Sequence, residues 1–436
     1  MKGNRKRRIL AAVAAVAGVA SLAACSGSAP AAQETLSTKP VTLNITYWGS
    51  DARVQNTDKI IAAFEKKYPN ITVKGQFKDW AGYWDSLATS TAANDAPDVI
   101  QMDELYLSSY AGRGALLDLG TEKSFLSTKD YTKEVLAAGQ IDGTQYALPA
   151  TYGAYSIIVN TDILAKYNIA LPDDKTWTWD DLATISEQVT KASGGEVAGF
   201  QGWGFDAGGP NIWARQHGGS LYDAKGDVAI KADVLASYWQ YILDLTDNGA
   251  TAPASTIIER QGAGLTGSGL ATNKVAFAPF WATQLTSLTA ASGQHLAILQ
   301  IPGESKATDP GLYYKPGMYW TVSARSKHPA EAAAFADFIS NSEEAGKING
   351  TERGIPANSA VRTAITPSLS ATDKAAVDYL DNIKVGAAPR VTPAGASSIE
   401  TVLARYTQQV LFKQATPAQA AAAFIKELQG EIDAAK

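Results

Sequence analysis

At several points of this chain aromatic rings stand beside planar polar groups, each time just after an apolar run. Trp48 is followed by Asp51 and Arg53, and Trp80 by Tyr83. Asp103 follows the run Val99–Met102, and Trp203, Asn211 and Trp213 flank the Gly-rich turn 202–210. Rings offer flat apolar plates, while Asp, Asn and Arg offer in-plane hydrogen bonds. Together they suit a ligand with apolar C–H faces and hydroxyl edges, which is the profile of a carbohydrate. The chain holds ten Trp and eighteen Tyr, enough to supply both a core and a binding surface. Each residue also has a plainer reading: Trp48 and Tyr83 as core, Asp51 as a helix cap. Trp177, Trp179 and Trp239 stand in helical contexts and read as packing.

Bond-making chemistry finds little footing. One cysteine and three histidines (His217, His295, His328) allow neither an intramolecular disulfide nor a Cys/His zinc cluster. There is no G-x-S-x-G elbow and no P-loop. Gly262-Ala-Gly264-Leu-Thr-Gly267 has dinucleotide-binding spacing, but no βαβ unit surrounds it and no acid lies between Arg260 and Glu304, so it reads as a loop. The pairs Asp173-Asp174, Asp180-Asp181 and Glu343-Glu344 read as solvated or capping acids. No catalytic residues, metal ligands or cofactor are expected, and the protein reads as a binder rather than an enzyme. Two alternatives stand beside that reading. A glycoside hydrolase would need Asp51 and Asp103 as a carboxyl pair about 5–10 Å apart. A polyamine binder would line its cleft with more carboxylates.

The elements that must position these residues alternate. Val41–Trp48 is β-branched and alternating, hence a strand; Asn56–Tyr68 has helical spacing and ends at Pro69-Asn70. Strand Ile71–Phe77, helix Tyr83–Ala93 and strand Val99–Met102 follow, implying a parallel sheet with right-handed crossovers. Ser156–Asn160 is a further apolar run, and Trp179 opens a helix with an acidic first turn. Residues 331–340 and 418–428 are Ala-rich helices, the second with Pro417 at its first position. No composition break separates sequential domains, so the lobes of a body this long interleave, the chain crossing between them more than once.

The net charge of −5 hides a division. Residues 1–24 hold five of the 38 basic side chains and no acidic one, leaving 33 against 43 acids, so the body carries about −10. An acidic body excludes a phosphate-neutralising nucleic-acid binder. Basic Met1–Arg8, apolar Ile9–Ala20 and small residues before Cys25 form a secretory leader too short for a comfortable membrane span. Leu22-Ala23-Ala24-Cys25 resembles the bacterial lipobox, whose cysteine receives acyl chains (diacylglycerol and palmitate) after cleavage. Residues 25–40, small, polar and Pro-containing, read as the lipidated cysteine and a flexible tether with a reach of roughly 20–25 Å.

In this order and spacing the body resembles the extracellular solute-binding proteins of ABC importers, family 1, in the sugar-binding branch that includes maltose-binding protein. The stations are Ile45-Thr-Tyr-Trp-Gly49, Phe64-Glu-Lys-Lys-Tyr-Pro69, Ala96-Pro-Asp-Val99, Gly114-Ala-Leu-Leu-Asp-Leu119 and Tyr146-Ala-Leu-Pro149. Asn273-Lys-Val-Ala276 before Trp281, Ile301-Pro-Gly303, residues 323–331 and Arg353-Gly-Ile-Pro-Ala357 complete them. Phe277 stands where relatives usually carry Met. The resemblance implies an α/β fold of the type II periplasmic-binding-protein kind: two α/β lobes on a three-segment hinge that close on ligand like a flytrap. Its implied lobes are 41–150 plus 300–341 and 151–299 plus 342–436, with crossings near Pro149–Tyr152, Leu299–Pro302 and Ser340–Glu344. It further implies that Trp281 stacks on the sugar and that Tyr152, Tyr319 and Arg353 stand near the hinge side of the site. The implied partners are a carbohydrate, an oligosaccharide or glycoside, and the transmembrane subunits of an ABC permease. The protein would be a monomer, lipid-anchored outside the bacterial cytoplasmic membrane.

Overall fold

The computed structural model describes residues 35–307 and 309–436. The leader and Cys25 lie outside the described residues, so the lipobox and signal-peptide readings do too. Among the described residues, no helix is long and apolar enough to cross a membrane.

The strands, in chain order, are β1 (Val41–Trp48), β2 (Ile71–Lys78), β3 (Val99–Met102), β4 (Gln140–Ile141), β5 (Thr144–Gln145) and β6 (Leu148–Gly153). β7 (Tyr155–Asn160), β8 (Ala198–Phe200), β9 (Val275–Trp281), β10 (Leu296–Leu299), β11 (Lys315–Val322) and β12 (Ile355–Pro356) follow. Two sheets form two lobes. The first is six-stranded in the order β12-β6-β11-β3-β1-β2; the second is four-stranded in the order β10-β7-β9-β8. β1 pairs parallel with β2 and β3, as the alternation of strands and helices requires, while β11 enters antiparallel between β3 and β6. β4 and β5 make a small hairpin whose turn, Asp142-Gly143, has φ of 50° and 82°, the positive values that a tight two-residue turn demands.

Helix Asp51–Lys67 starts five residues earlier than the periodicity suggested, because the Ser50 hydroxyl accepts from Arg53 N and caps it. Its Ile60 and Phe64 are fully buried, Phe64 edge-on to Phe335 and Phe338 of helix Pro329–Asn341. That helix is Ala-rich along its buried face, which lets its backbone settle close to the sheet. A second core lies under the four-stranded sheet, where Trp239 and Phe424 join helices Ala232–Asp247 and Pro417–Ala435. The described part of the expected tether is not free: Ser37 N donates to the Glu331 carboxylate at 2.6 Å, and Asn70 donates to Ser37 O.

The lobes interleave, but the chain crosses elsewhere than expected. The first passage is Gly153–Tyr155, between the last residue of β6 and the first of β7. Residues 300–313 stay with the second lobe, since Ile301, Leu312 and Tyr313 are buried in its core; the return comes at Tyr314–Lys315. Residues 342–357 belong to the first lobe, not the second. Ser342 caps helix Glu343–Asn349, which packs on helix Asp51–Lys67, and β12 pairs with β6. A capping serine there looks in sequence like a break between lobes. Helix Ala371–Asn382 then spans the divide: Thr286 of the second lobe hydrogen-bonds Asp373, while Val377 and Leu380 are buried in the first core.

Candidate functional site

A cavity opens between the lobes, with about 690 Å³ of space free of protein atoms, open solvent at its mouth included. Glu104 and Leu105, at the head of helix Glu104–Gly112, form one wall with Lys315 and Tyr319 of β11. The other wall is Asp206–Gly208, Asn211, Tyr222, Trp281, Tyr313 and Glu400, and residues 389–392 run across the opening. Two adjoining cavities of about 540 and 510 Å³ share Trp281 with it. Trp281 is therefore the common wall of all three.

Local structure explains how Trp281 is held. It ends β9, so its ring leaves the sheet at a strand's carboxyl end, where ligands gather in α/β folds. Its Nε1 donates to Asp206 Oδ2 at 3.1 Å, Tyr155 meets it edge-on at 4.8 Å, and the Lys315 ammonium sits 5.1 Å from its ring centre. Asp206 is fixed in turn by Gly208 N, which donates to Oδ1 at 2.6 Å at the start of helix Gly208–Gln216. Gly209 beside it admits no side chain, because a Cβ there would lie 2.3 Å from the Tyr238 hydroxyl and 2.7 Å from Trp203 Nε1.

The electrostatics are acidic around a single inner ammonium. Burial raises the carboxyls of Asp103 and Glu104 against the pull of Lys315. Glu400 is pushed up to about 7 by burial and by the neighbouring Asp206. Burial disfavours the Lys315 ammonium, but Asp206, Asp103 and Glu104 outweigh it and hold the group above its ordinary value. Glu104 accepts from Thr392 N and, at 3.0 Å, from Thr392 Oγ1. Arg390 donates to Asp142 Oδ1 at 2.8 Å and to Ala224 O at 2.7 Å, joining the β4–β5 turn to a turn of the second lobe. Among the described residues, no group of three or more His, Cys, Asp or Glu is arranged to hold a metal ion.

Of the residues singled out by sequence, the structure brings Asn211, Trp281 and Tyr319 to the main cavity, Trp203 to one adjoining cavity, and Tyr152 and Arg353 to the other. Tyr319 is fully buried and donates to Ala138 O at 2.9 Å. Tyr152 lies under the Arg362 guanidinium, 4.9 Å from its ring centre. Arg353 is buried, donates to Thr57 and Asn349, and is lowered to about 9 by burial and by nearby Arg53.

The other residues singled out lie apart from these cavities. Arg53 points into the first lobe, pairing with Glu352 at 2.9 Å and donating to Trp48 O. Tyr83 is fully buried, its hydroxyl donating to Gln101 O. Trp48 packs among Trp80, Tyr83 and Trp84, and Trp80 is half-exposed on the outside of that cluster. Trp213 lies in the second core and donates to Ser237 Oγ. Asp51 is exposed in the first turn of its helix, whereas Asp103 caps its own by accepting from Leu105 N. Neither aspartate is among the residues that line the cavity.

Sequence reasoning missed Glu104, Asp206, Tyr222, Lys315 and Glu400. The strand-end rule that selected Asp103 stops one residue short of Glu104. Asp206 lies six residues beyond β8 and Lys315 opens β11, strands that the periodicity did not reveal. Glu400 had no local signal, because it reaches the cavity only through the packing of helix Ile399–Leu411.

Comparison with known proteins agrees with this architecture. Residues 59–377 match the family model described as bacterial extracellular solute-binding protein. An uncharacterized ABC transporter extracellular-binding protein of Pyrococcus horikoshii is 25% identical over 167 residues, 38% of this chain and 38% of that protein, so the match spans well under half of this curated relative. The solved structure of an extracellular solute-binding protein family 1 from Alicyclobacillus acidocaldarius is 31% identical, covering 91% of this chain and 99% of that one, with a TM-score of 0.74. A periplasmic oligogalacturonide binding protein from Yersinia enterocolitica, solved with saturated digalacturonic acid, shares the fold at 20% identity, with 91% and 99% coverage and a TM-score of 0.74. A two-lobed α/β body with a cavity at its strand ends, matched over most of its length, places the chain in the bacterial extracellular solute-binding protein family.

Proposed function

We propose that this protein is the extracellular receptor of an ABC importer and captures a carbohydrate, an oligosaccharide or glycoside, between its lobes without chemically changing it. The observation that carries the reading is Trp281: an indole fixed by Asp206 and Tyr155 where two interlobe cavities and one within the second lobe meet, ringed by hydrogen-bonding groups. A ring beside planar acceptors is the pairing a sugar's C–H face and hydroxyl edge require. The oligogalacturonide bound by the Yersinia relative in fold supports the same class. Closure on ligand shifts an open–closed equilibrium by the ligand's preference for the closed form. The closed receptor then docks on the permease, working as a monomer tied to the outer membrane face through lipid on Cys25.

Screening thermal stability against an oligosaccharide panel tests this, since a ligand bound by the native state alone raises its stability. A rise with at least one saccharide, absent in Trp281→Ala, is expected. A panel without effect, or turnover of a chromogenic glycoside that Asp103→Asn abolishes, would overturn it.

A further inference from the structure

The interlobe cavity is lined by three acidic side chains against two basic ones. Glu104, Asp206 and Glu400 face it from three separate elements, with Asp103 just behind. Against them stands one inner ammonium, Lys315, which lies over the Trp281 ring and has no ion-pair partner among the described residues. Arg390 at the opening is already engaged with Asp142 and Ala224. A second observation is independent of the charges. Asn211 and Tyr222, each 6% exposed, line the cavity. Among the described residues, the Asn211 Oδ1 and Tyr222 hydroxyl have no hydrogen-bond partner, although buried polar atoms are ordinarily paired.

Closing the lobes over a neutral sugar would satisfy hydroxyl contacts and leave the excess carboxylate charge out of water, which is costly unless a counter-charge accompanies it. A ligand ammonium supplies that charge and donates to the waiting oxygens. We infer that the carbohydrate taken by this cavity carries a basic amino group, held among Glu104, Asp206 and Glu400 with Asn211 as a neutral acceptor. The inference rests on the carbohydrate reading above and names the ligand class within it.

A proton linkage follows. Glu400 faces Asp206 on the turn before helix Gly208–Gln216, Lys315 on β11, and Asp103 and Glu104 at the head of helix Glu104–Gly112. Without ligand it titrates at about 7. A bound ammonium keeps it ionised, so an amino sugar binds more weakly as pH falls below 7.

Calorimetric titration of the full-length protein with four probes tests this: kanamycin as an amine-bearing trisaccharide-like glycoside, its fully N-acetylated derivative, maltotriose, and spermidine. Kanamycin is expected to bind at least about tenfold tighter than the acetylated form at pH 7.5. That advantage shrinks by about tenfold at pH 5.5, and Glu400→Gln removes most of it. A cooperative thermal unfolding transition and an unaltered circular dichroism spectrum in the Glu400→Gln protein control for folding. Equal or tighter binding of the acetylated form or maltotriose overturns the amine inference and leaves the carbohydrate reading standing. Spermidine matching kanamycin overturns the carbohydrate reading in favour of a polyamine. Failure of all four to bind overturns both.

Discussion

Each lobe carries its own set of aromatic rings, and the two sets differ in what they face. In the first lobe Trp48, Trp80, Tyr83, Trp84 and Tyr106 meet one another, Trp48 edge-on to Trp80 and Tyr83 at 5.1 Å and Trp84 stacked on Tyr106 at 3.7 Å. Apart from the half-exposed Trp80, these rings pack mainly on one another. In the second lobe Trp281 is held by Tyr155 and Asp206, lies under the Lys315 ammonium of the first lobe, and borders three cavities. Equal aromatic richness thus yields a core in one place and a candidate site in the other. What separates them is the surrounding polar atoms: acidic groups and unpartnered Asn211 and Tyr222 oxygens surround the cavity at Trp281.

If that contrast is right, truncating one ring in each set breaks different properties. Tyr83→Ala empties a fully buried site and should cost about 3–5 kcal/mol of stability, as buried aromatic-to-alanine changes do. Denaturant unfolding measures this, and the fraction still folded should bind ligand as before. Trp281→Ala should do the reverse: a loss of about 2 kcal/mol or more in binding, roughly thirtyfold in Kd, with a smaller change in stability. Weakened ligand affinity in the folded Tyr83→Ala protein, or full affinity in Trp281→Ala, would erase the distinction.

The same contrast explains what the sequence could reveal. Strands β1, β2 and β3 were legible because alternation and Pro-Asn or Ala-Pro-Asp punctuation are local properties. Trp281 was legible through a family position. Arg53 was misjudged because its partner, Glu352, is 299 positions away, and no local pattern announces a buried ion pair. Residues 342–357 were misplaced for a related reason: the Asn341-Ser342 interruption is a helix cap, and only the pairing of β12 with β6 decides the lobe. The acidic side of the cavity escaped most completely. Glu104, Asp206 and Glu400 are brought together by tertiary packing, each in a context that reads alone as a solvated helix or turn acid.

The acidic side gives a subtler test. Glu400 binds its proton more tightly in the fold than in the unfolded chain, where a glutamate titrates near about 4.3. The folded state therefore loses stability as pH rises from the unfolded value through about 7, and the loss is complete above it. Glu400→Gln removes that dependence and should stabilise the unliganded protein at pH 8 by ~1–2 kcal/mol after solvent screening, with little change at pH 4. Urea midpoints at the two pH values measure the difference. Equal effects at both would mean that Glu400 is not crowded by its neighbours.

The smallest expected effect lies at the opening, where Arg390 ties Asp142 on one lobe to Ala224 O on the other. Asp142 is mostly exposed, so the pair itself is worth at most about 1 kcal/mol. Its position matters more than its strength. A contact made only when the lobes are together biases the closed form, and ligand bound in that form inherits the bias as affinity. Arg390→Ala should therefore weaken binding by about two- to fivefold, mostly through faster dissociation, with unfolding stability almost unchanged. Stopped-flow ligand release, followed through tryptophan fluorescence, reads the rate. A slower association rate with unchanged release would place Arg390 in ligand entry instead of closure, and the opening would then act as a gate distinct from the acidic floor beneath it.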